Sequence, residues 1–149
     1  MPALLRVGLA GLLSILTLLS GPWQAQASLL HLVGPVPEDL GVHDGNLAAC
    51  DSPAHCSRTT WATSDPAAAL GALRAELEHT EGIEVKEATE AYLHATATSR
   101  LFGFVDDLEL LAVPGAGTLE ARSVSRLGDS DLGVNARRLE RLRGSLPQT

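Results

Sequence analysis

Leu70, Leu73 and Leu77 recur three and seven residues apart behind Asp65-Pro66, a capping carboxylate followed by proline at the first helical position. This pattern predicts an amphipathic helix over about residues 66–80, stopped at Gly82. Downstream the period shortens to two. Ile83–Ala88, Ala91–Thr98, Gly103–Val113 and Thr118–Arg126 read as strands, the last two joined by the hairpin signal Pro114-Gly115-Ala116-Gly117. Asn135 then offers a cap for a short helix ending near Arg143-Gly144, with Val134 and Leu139 placed as a hydrophobic staple and four arginines toward its carboxyl end. Helix, four strands and helix predict one α+β domain over residues 65–144, an antiparallel sheet of about four strands with both helices on one face, followed by a short tail over 145–149. Residues 28–64 show neither period and carry Pro, Gly, Asp and Asn at close intervals, so they are expected to form an irregular leader that wraps the scaffold.

Alternation also assigns side chains to faces. If Val113 pairs with Thr118 across the turn, Leu110 lies opposite Ala121 and Leu108 opposite Ser123 on the core side, and Glu109 lies opposite Arg122 on the other. In the same register Asp107 is diagonal to Arg122 and Arg126. Matching apolar faces sets Tyr92 and His94 on that second side, so one sheet face is expected to collect Tyr92, His94, Asp107, Glu109, Arg122 and Arg126. Asp106 falls on the apolar side. An unpaired charge there is costly, so it should find donors such as Ser125 or backbone amides near the last helix.

The first 27 residues change the reading of the rest. Arg6, the 13-residue uncharged run Val7–Leu19, Gly21-Pro22 and the small residues of Ala25-Gln26-Ala27 are ordered as in a secretory signal peptide cleaved after Ala27. An uncleaved anchor is the alternative, although a spanning helix needs about 20 residues. Leu47-Ala48-Ala49-Cys50 has the pattern of a lipoprotein box but stands 30 residues beyond the apolar run, where lipidation is not expected. Export to the periplasm or medium lets a Cys50–Cys56 disulfide persist. A metal reading needs ligands beyond Cys50, His55 and Cys56, and the spacing is not a standard zinc motif, so neither metal nor cofactor is expected.

Charge narrows the partner. The chain of 149 residues has 11 basic and 18 acidic side chains, net -7, and 3% aromatics. Its acidity disfavours general nucleic-acid binding, and its length excludes a large two-domain enzyme. A membrane is expected only at the N-terminal segment before cleavage. The charge divides unevenly: residues 28–121 hold 4 basic and 15 acidic side chains, residues 122–149 hold 6 and 3. An acidic body thus meets a basic C-terminal segment along the expected Glu109–Arg122 and Asp107–Arg126 seam.

Cys50-x2-Pro53-x2-Cys56-Ser57, Tyr92-Leu93-His94-Ala95, Gly103-Phe104-Val105-Asp106-Asp107-x-Glu109 and the run Arg122-Ser123-x-Ser125-Arg126-x-Gly128-x-Ser130-Asp131-x-Gly133-Val134-Asn135 resemble an uncharacterised bacterial and plastid family, the one catalogued as domain of unknown function 1499. The resemblance runs from about Cys50 to Arg143 and implies no activity, substrate or cofactor. It marks Asp106, Ser123, Ser125, Gly128, Asp131, Gly133 and Asn135 as a structural motif.

Three functional readings follow. An exported accessory or binding module would use Arg122 and Arg126 on the polar face to anchor a small anionic or zwitterionic ligand or a protein partner, unless the same residues form a buried network fixing the leader to the sheet. A small hydrolase-like or acid/base enzyme would use His94 with Asp107, or Ser123 or Ser125 as nucleophile, but no nucleophile elbow or second telling histidine accompanies them. A cation site at Asp129, Ser130, Asp131 and Asn135 lacks the ligand spacing of an EF-hand loop, and the simpler reading is a turn and helix cap.

Overall fold

Residues 32–146 are described by a computed structural model of the chain. The proposed signal segment, its cleavage point and the last residues of the tail lie outside them. Two short strands, β1 (Val42–His43) and β2 (Asn46–Leu47), form a hairpin, and β3 (Cys56–Ala62) precedes helix α1 (Pro66–Leu77). Four strands follow, β4 (Ile83–Ala88), β5 (Tyr92–Thr98), β6 (Val105–Val113) and β7 (Thr118–Ser125), and then helix α2 (Val134–Gly144). The main sheet has five antiparallel strands in the order β3-β7-β6-β5-β4.

The β6–β7 register is the expected one: Val113 pairs with Thr118, Leu110 with Ala121 and Glu109 with Arg122. Pro114–Ala116 form a single 3-10 turn closed by Gly117 at φ +62°, a left-handed conformation that glycine adopts without a Cβ penalty. One sheet face carries Leu93, Ala95, Leu108, Leu110, Leu119 and Ala121, all buried against Leu70, Leu73 and Leu77 of α1 and Leu139 and Leu142 of α2. Asp65 caps α1 by accepting from the Ala68 amide at 2.9 Å, and the helix ends at Leu77, three residues before the expected limit.

Two expectations need correction. The leader is not wholly irregular, because β3 lies within it and supplies the fifth strand on the β7 edge, with Cys56 opposite Val124 and Trp61 opposite Leu119. An edge strand needs only one packed face, so its mixed composition shows little apolar alternation; Trp61 supplies the large core contact. Second, Asn135 does not cap α2. Gly133 occupies the cap position without a side-chain bond, and the Asp131 carboxylate instead accepts from the Gly133 amide at 2.7 Å and the Asn135 amide at 2.9 Å. Val134, expected in the staple, is exposed at 39% while Leu139 is buried.

Cys50 and Cys56 form a disulfide at the head of β3. For so short a ring the chain-entropy estimate is about 2 kcal/mol. Replacing both cysteines by serine should therefore lower unfolding free energy by about 2 kcal/mol in urea titrations, with an unchanged urea dependence of the transition.

Candidate functional site

The second sheet face gathers the six residues that alternation placed there, and their geometry is a charge network centred on Asp107 and Glu109. Asp107 and Glu109, two residues apart on the central strand β6, have 0% exposure, and Arg122 on β7 has 3%. Charges so buried must be paired and hydrogen-bonded. Arg126 donates to Asp107 through Nε and Nη2, both at 2.8 Å, and the His94 Nε2 stands 2.8 Å from the same carboxylate. Glu109 is saturated as well. Its Oε2 accepts from Arg122 Nη1 at 2.9 Å, and its Oε1 from the Tyr92 hydroxyl at 2.8 Å and the Gly41 amide at 2.6 Å.

The leader completes this layer. Arg122 Nη2 donates to Asp39 Oδ2 at 2.6 Å, and Asp39 is the one partly exposed carboxylate of the group, its side chain 44% accessible. Farther along, Glu120 accepts from the Leu47 amide at 2.9 Å and from Arg58 at 2.9 Å. Leu47 packs with Tyr92 and Leu111 in a small second apolar cluster. The β-face carboxylates therefore bind the backbone of the leader as well as side chains. The Arg122 Nε has no acceptor among the described residues, so one donor of its guanidinium is buried without a partner.

Burial alone would raise the Asp107 pKa, but hydrogen bonds from Arg126 and His94 outweigh it and hold the carboxyl below its ordinary value. The same carboxylate pushes the Arg126 guanidinium upward. Tyr92 is raised far out of the physiological range by burial and by its bond to Glu109, so it acts as a neutral donor.

A separate network lies on the helix side. Asn135 is fully buried inside α2, accepts from Ser123 Oγ at 2.6 Å and Arg138 Nη1 at 2.6 Å, and donates to Ser125 Oγ at 2.9 Å and the His55 carbonyl at 3.1 Å. Asp106 finds its donor in Arg138 Nη2 at 2.7 Å, not in Ser125 or a backbone amide. This differs from the sequence expectation because the rotation of a helix on a sheet, which brings Arg138 over Asp106, leaves no mark in either element's own periodicity. The motif serines, Asp106 and Asn135 thus lock α2 onto β7, and they stand on the face opposite His94 and Asp107.

Between leader and sheet edge a cleft of about 440 Å³ is lined by Pro35, Pro37, Glu38, Asp39, Asp51, His55, Arg122 and Arg126, among others. Sequence reasoning missed Asp39, Glu38 and His55 as its lining. No spacing rule places a leader residue over a strand 83 positions away in the chain. No group of three or more His, Cys, Asp or Glu among the described residues is arranged to hold a metal ion.

Arg126→Ala leaves Asp107 buried without its bidentate partner and should destabilise the fold by about 3–5 kcal/mol, read by urea unfolding at pH 7. The Asp107 carboxyl titrates lower folded than unfolded. Its contribution is therefore complete well above about pH 4 and is lost as pH falls through the folded value. Asp107→Asn should lower stability at pH 7 and flatten the decline in stability as pH falls below about 4.

No curated protein and no solved structure matches the chain significantly. A family model described as "Protein of unknown function (DUF1499)" matches residues 35–146. The match begins before the cysteine loop and so takes in the cleft-lining leader segment together with both networks. By this match over most of its length, the chain belongs to the DUF1499 family.

Proposed function

We propose that the chain is an exported accessory or binding module, and that its ligand or partner enters the cleft where the charge network reaches the surface. The observation that carries this reading is the Arg122–Asp39 contact. Arg122 is tied on its inner side to Glu109, while its outer side is filled by a partly exposed carboxylate from the leader. Asp39 occupies the seat that an external carboxylate would take. Arg126 lines the same cleft, and the acids Glu38 and Asp51 also line it, which suits a zwitterion or a peptide bearing both charges better than a simple anion. Export is supported by the order of residues 1–27 and by the Cys50–Cys56 bridge, which a reducing cytosol would not maintain.

The acid/base alternative draws on one contact, His94 to Asp107 at 2.8 Å, the arrangement by which a carboxylate orients an imidazole. Two features weigh against it. Asp107 is already held by both donors of Arg126, and Ser123 is buried beneath α2 on the other face.

Asp39→Asn should weaken the internal competitor. Titration with the zwitterionic dipeptide glycylglycine, followed by amide chemical shifts, is expected to perturb residues 36–39 and 122–126, with at least a threefold lower dissociation constant in the variant than in the parent chain. Absence of saturable shifts in both proteins would leave the network with a purely structural role.

A further inference from the structure

The Gly128-x-Ser130-Asp131-x-Gly133 segment does more than start α2. It holds Leu132 in the left-handed region at φ +53°, and that side chain is 84% exposed. A leucine there is strained, and such conformations persist only where the surroundings over-determine them. Here they do. The Leu132 amide donates to Ser130 Oγ at 3.3 Å, its carbonyl accepts from Arg137 at 3.0 Å, the Asp131 carboxylate takes the next amide, and the Asp131 amide donates to the Ala54 carbonyl at 2.8 Å. The loop is a rigid mount for an apolar tip.

Around it the same end of the sheet exposes Leu101, Phe102, Phe104, Leu127 and Val134, each at least 38% accessible. Phe102 and Phe104 stack at an inclined 5.7 Å, and with Leu127, Leu132 and Val134 they rim a cavity of about 300 Å³. Clustered large apolar groups on protruding loops mark an interaction surface, unlike single exposed leucines.

Continuity of the chain identifies the occupant. Leu32 and Val33, both exposed, lead into Gly34, which lies so close to this rim that an added Cβ would stand 2.6 Å from Leu127 Cγ. Twelve residues separate Leu32 from the apolar run Val7–Leu19, a link that spans at most about 40 Å when extended. As long as the N-terminal run is attached, the end that carries the apolar tips is therefore the end from which the chain leads back to it. The flanking charges are of both signs: exposed Arg100 beside Leu101, Arg137 beneath Leu132, and exposed Asp129. With a net charge of -7 over the whole chain, this composition favours zwitterionic over anionic headgroups.

We propose that Leu101, Phe102, Phe104, Leu127, Leu132 and Val134 seat this end of the protein in the interface of a zwitterionic phospholipid bilayer, with Leu132 as the leading anchor. This goes beyond the expectation that only the N-terminal segment meets a membrane, and it is independent of the cleft at Arg122. The test uses the full chain carrying Leu132→Trp, with Val42→Trp on the β1–β2 hairpin as control, and phosphatidylcholine vesicles brominated in their acyl chains. Emission from the Leu132→Trp chain should shift to the blue and be quenched at least twofold more than that of the parent chain or the control. Adding Phe102→Asp, or Leu101→Asp should the former lower the melting temperature, should abolish the excess quenching. Equal quenching at positions 132 and 42 overturns the proposal whether or not the N-terminal run is retained. A vesicle-insensitive dimer that Leu132→Asp dissociates also overturns it and assigns the surface to a second copy of the chain.

Discussion

Asp107 and Glu109 stand side by side on the central strand of the sheet, fully buried, and the rest of the molecule is arranged to supply their donors. β7 contributes Arg122, Arg126 follows at its end, and β5 contributes Tyr92 and His94. The leader contributes the Gly41 amide, and Asp39 fills the outward side of Arg122. An apolar sheet face would bury a covering segment at no electrostatic cost and is often the more stable choice. It would accept many positions of that segment, whereas carboxylates that need particular amides at 2.6–2.9 Å accept few. The charged layer thus specifies where the leader lies.

The two faces use polar groups to different ends. On the helix side, Asn135 joins Ser123, Ser125, the His55 carbonyl and Arg138, and so ties β3, β7 and α2 together at one point. All its partners are internal. On the leader side the network ends in Asp39, which reaches water, and in a cleft that exposes both signs of charge. The second network therefore meets solvent through an acid and a cleft of mixed charge, whereas the first lies under α2 with Arg138 and Asp106 at its partly accessible margin. Half of the six basic residues after position 121, which composition alone would offer as a binding surface, are engaged: Arg122, Arg126 and Arg138 all meet buried carboxylates.

What the sequence made legible follows from where its information is local. The turn Pro114–Gly117 and the strict alternation of β6 and β7 fix a register, and a register fixes which side chains share a face, so the gathering of six polar residues could be read without coordinates. Strand β3 escaped because Ser57, Thr59 and Thr60 dilute its apolar period and its partner lies far along the chain. The pairing of Arg138 with Asp106 depends on how a helix sits on a sheet, and the pairing of Asp39 with Arg122 on where a leader crosses it. Neither geometry is encoded within a single element. The cap of α2 was displaced from Asn135 to Asp131 because a glycine in the left-handed region lets a carboxylate two residues upstream of it reach the first helical amides.

The strand order has a consequence for how the chain acquires this structure. β4 through β7 form a meander of neighbouring strands, each closing a short loop onto its predecessor. β3 precedes the other strands of the main sheet yet pairs only with β7, and its Cys56 lies opposite Val124, 68 residues later. Closure of so long a loop is entropically slow compared with the local hairpins. The leading edge of the sheet must therefore wait for almost the entire domain to emerge before it finds its neighbour. Until then the leader that β3 carries has no carboxylates to hold it, and the hairpin, the cysteine loop and the β3 edge remain open to chaperones and oxidants.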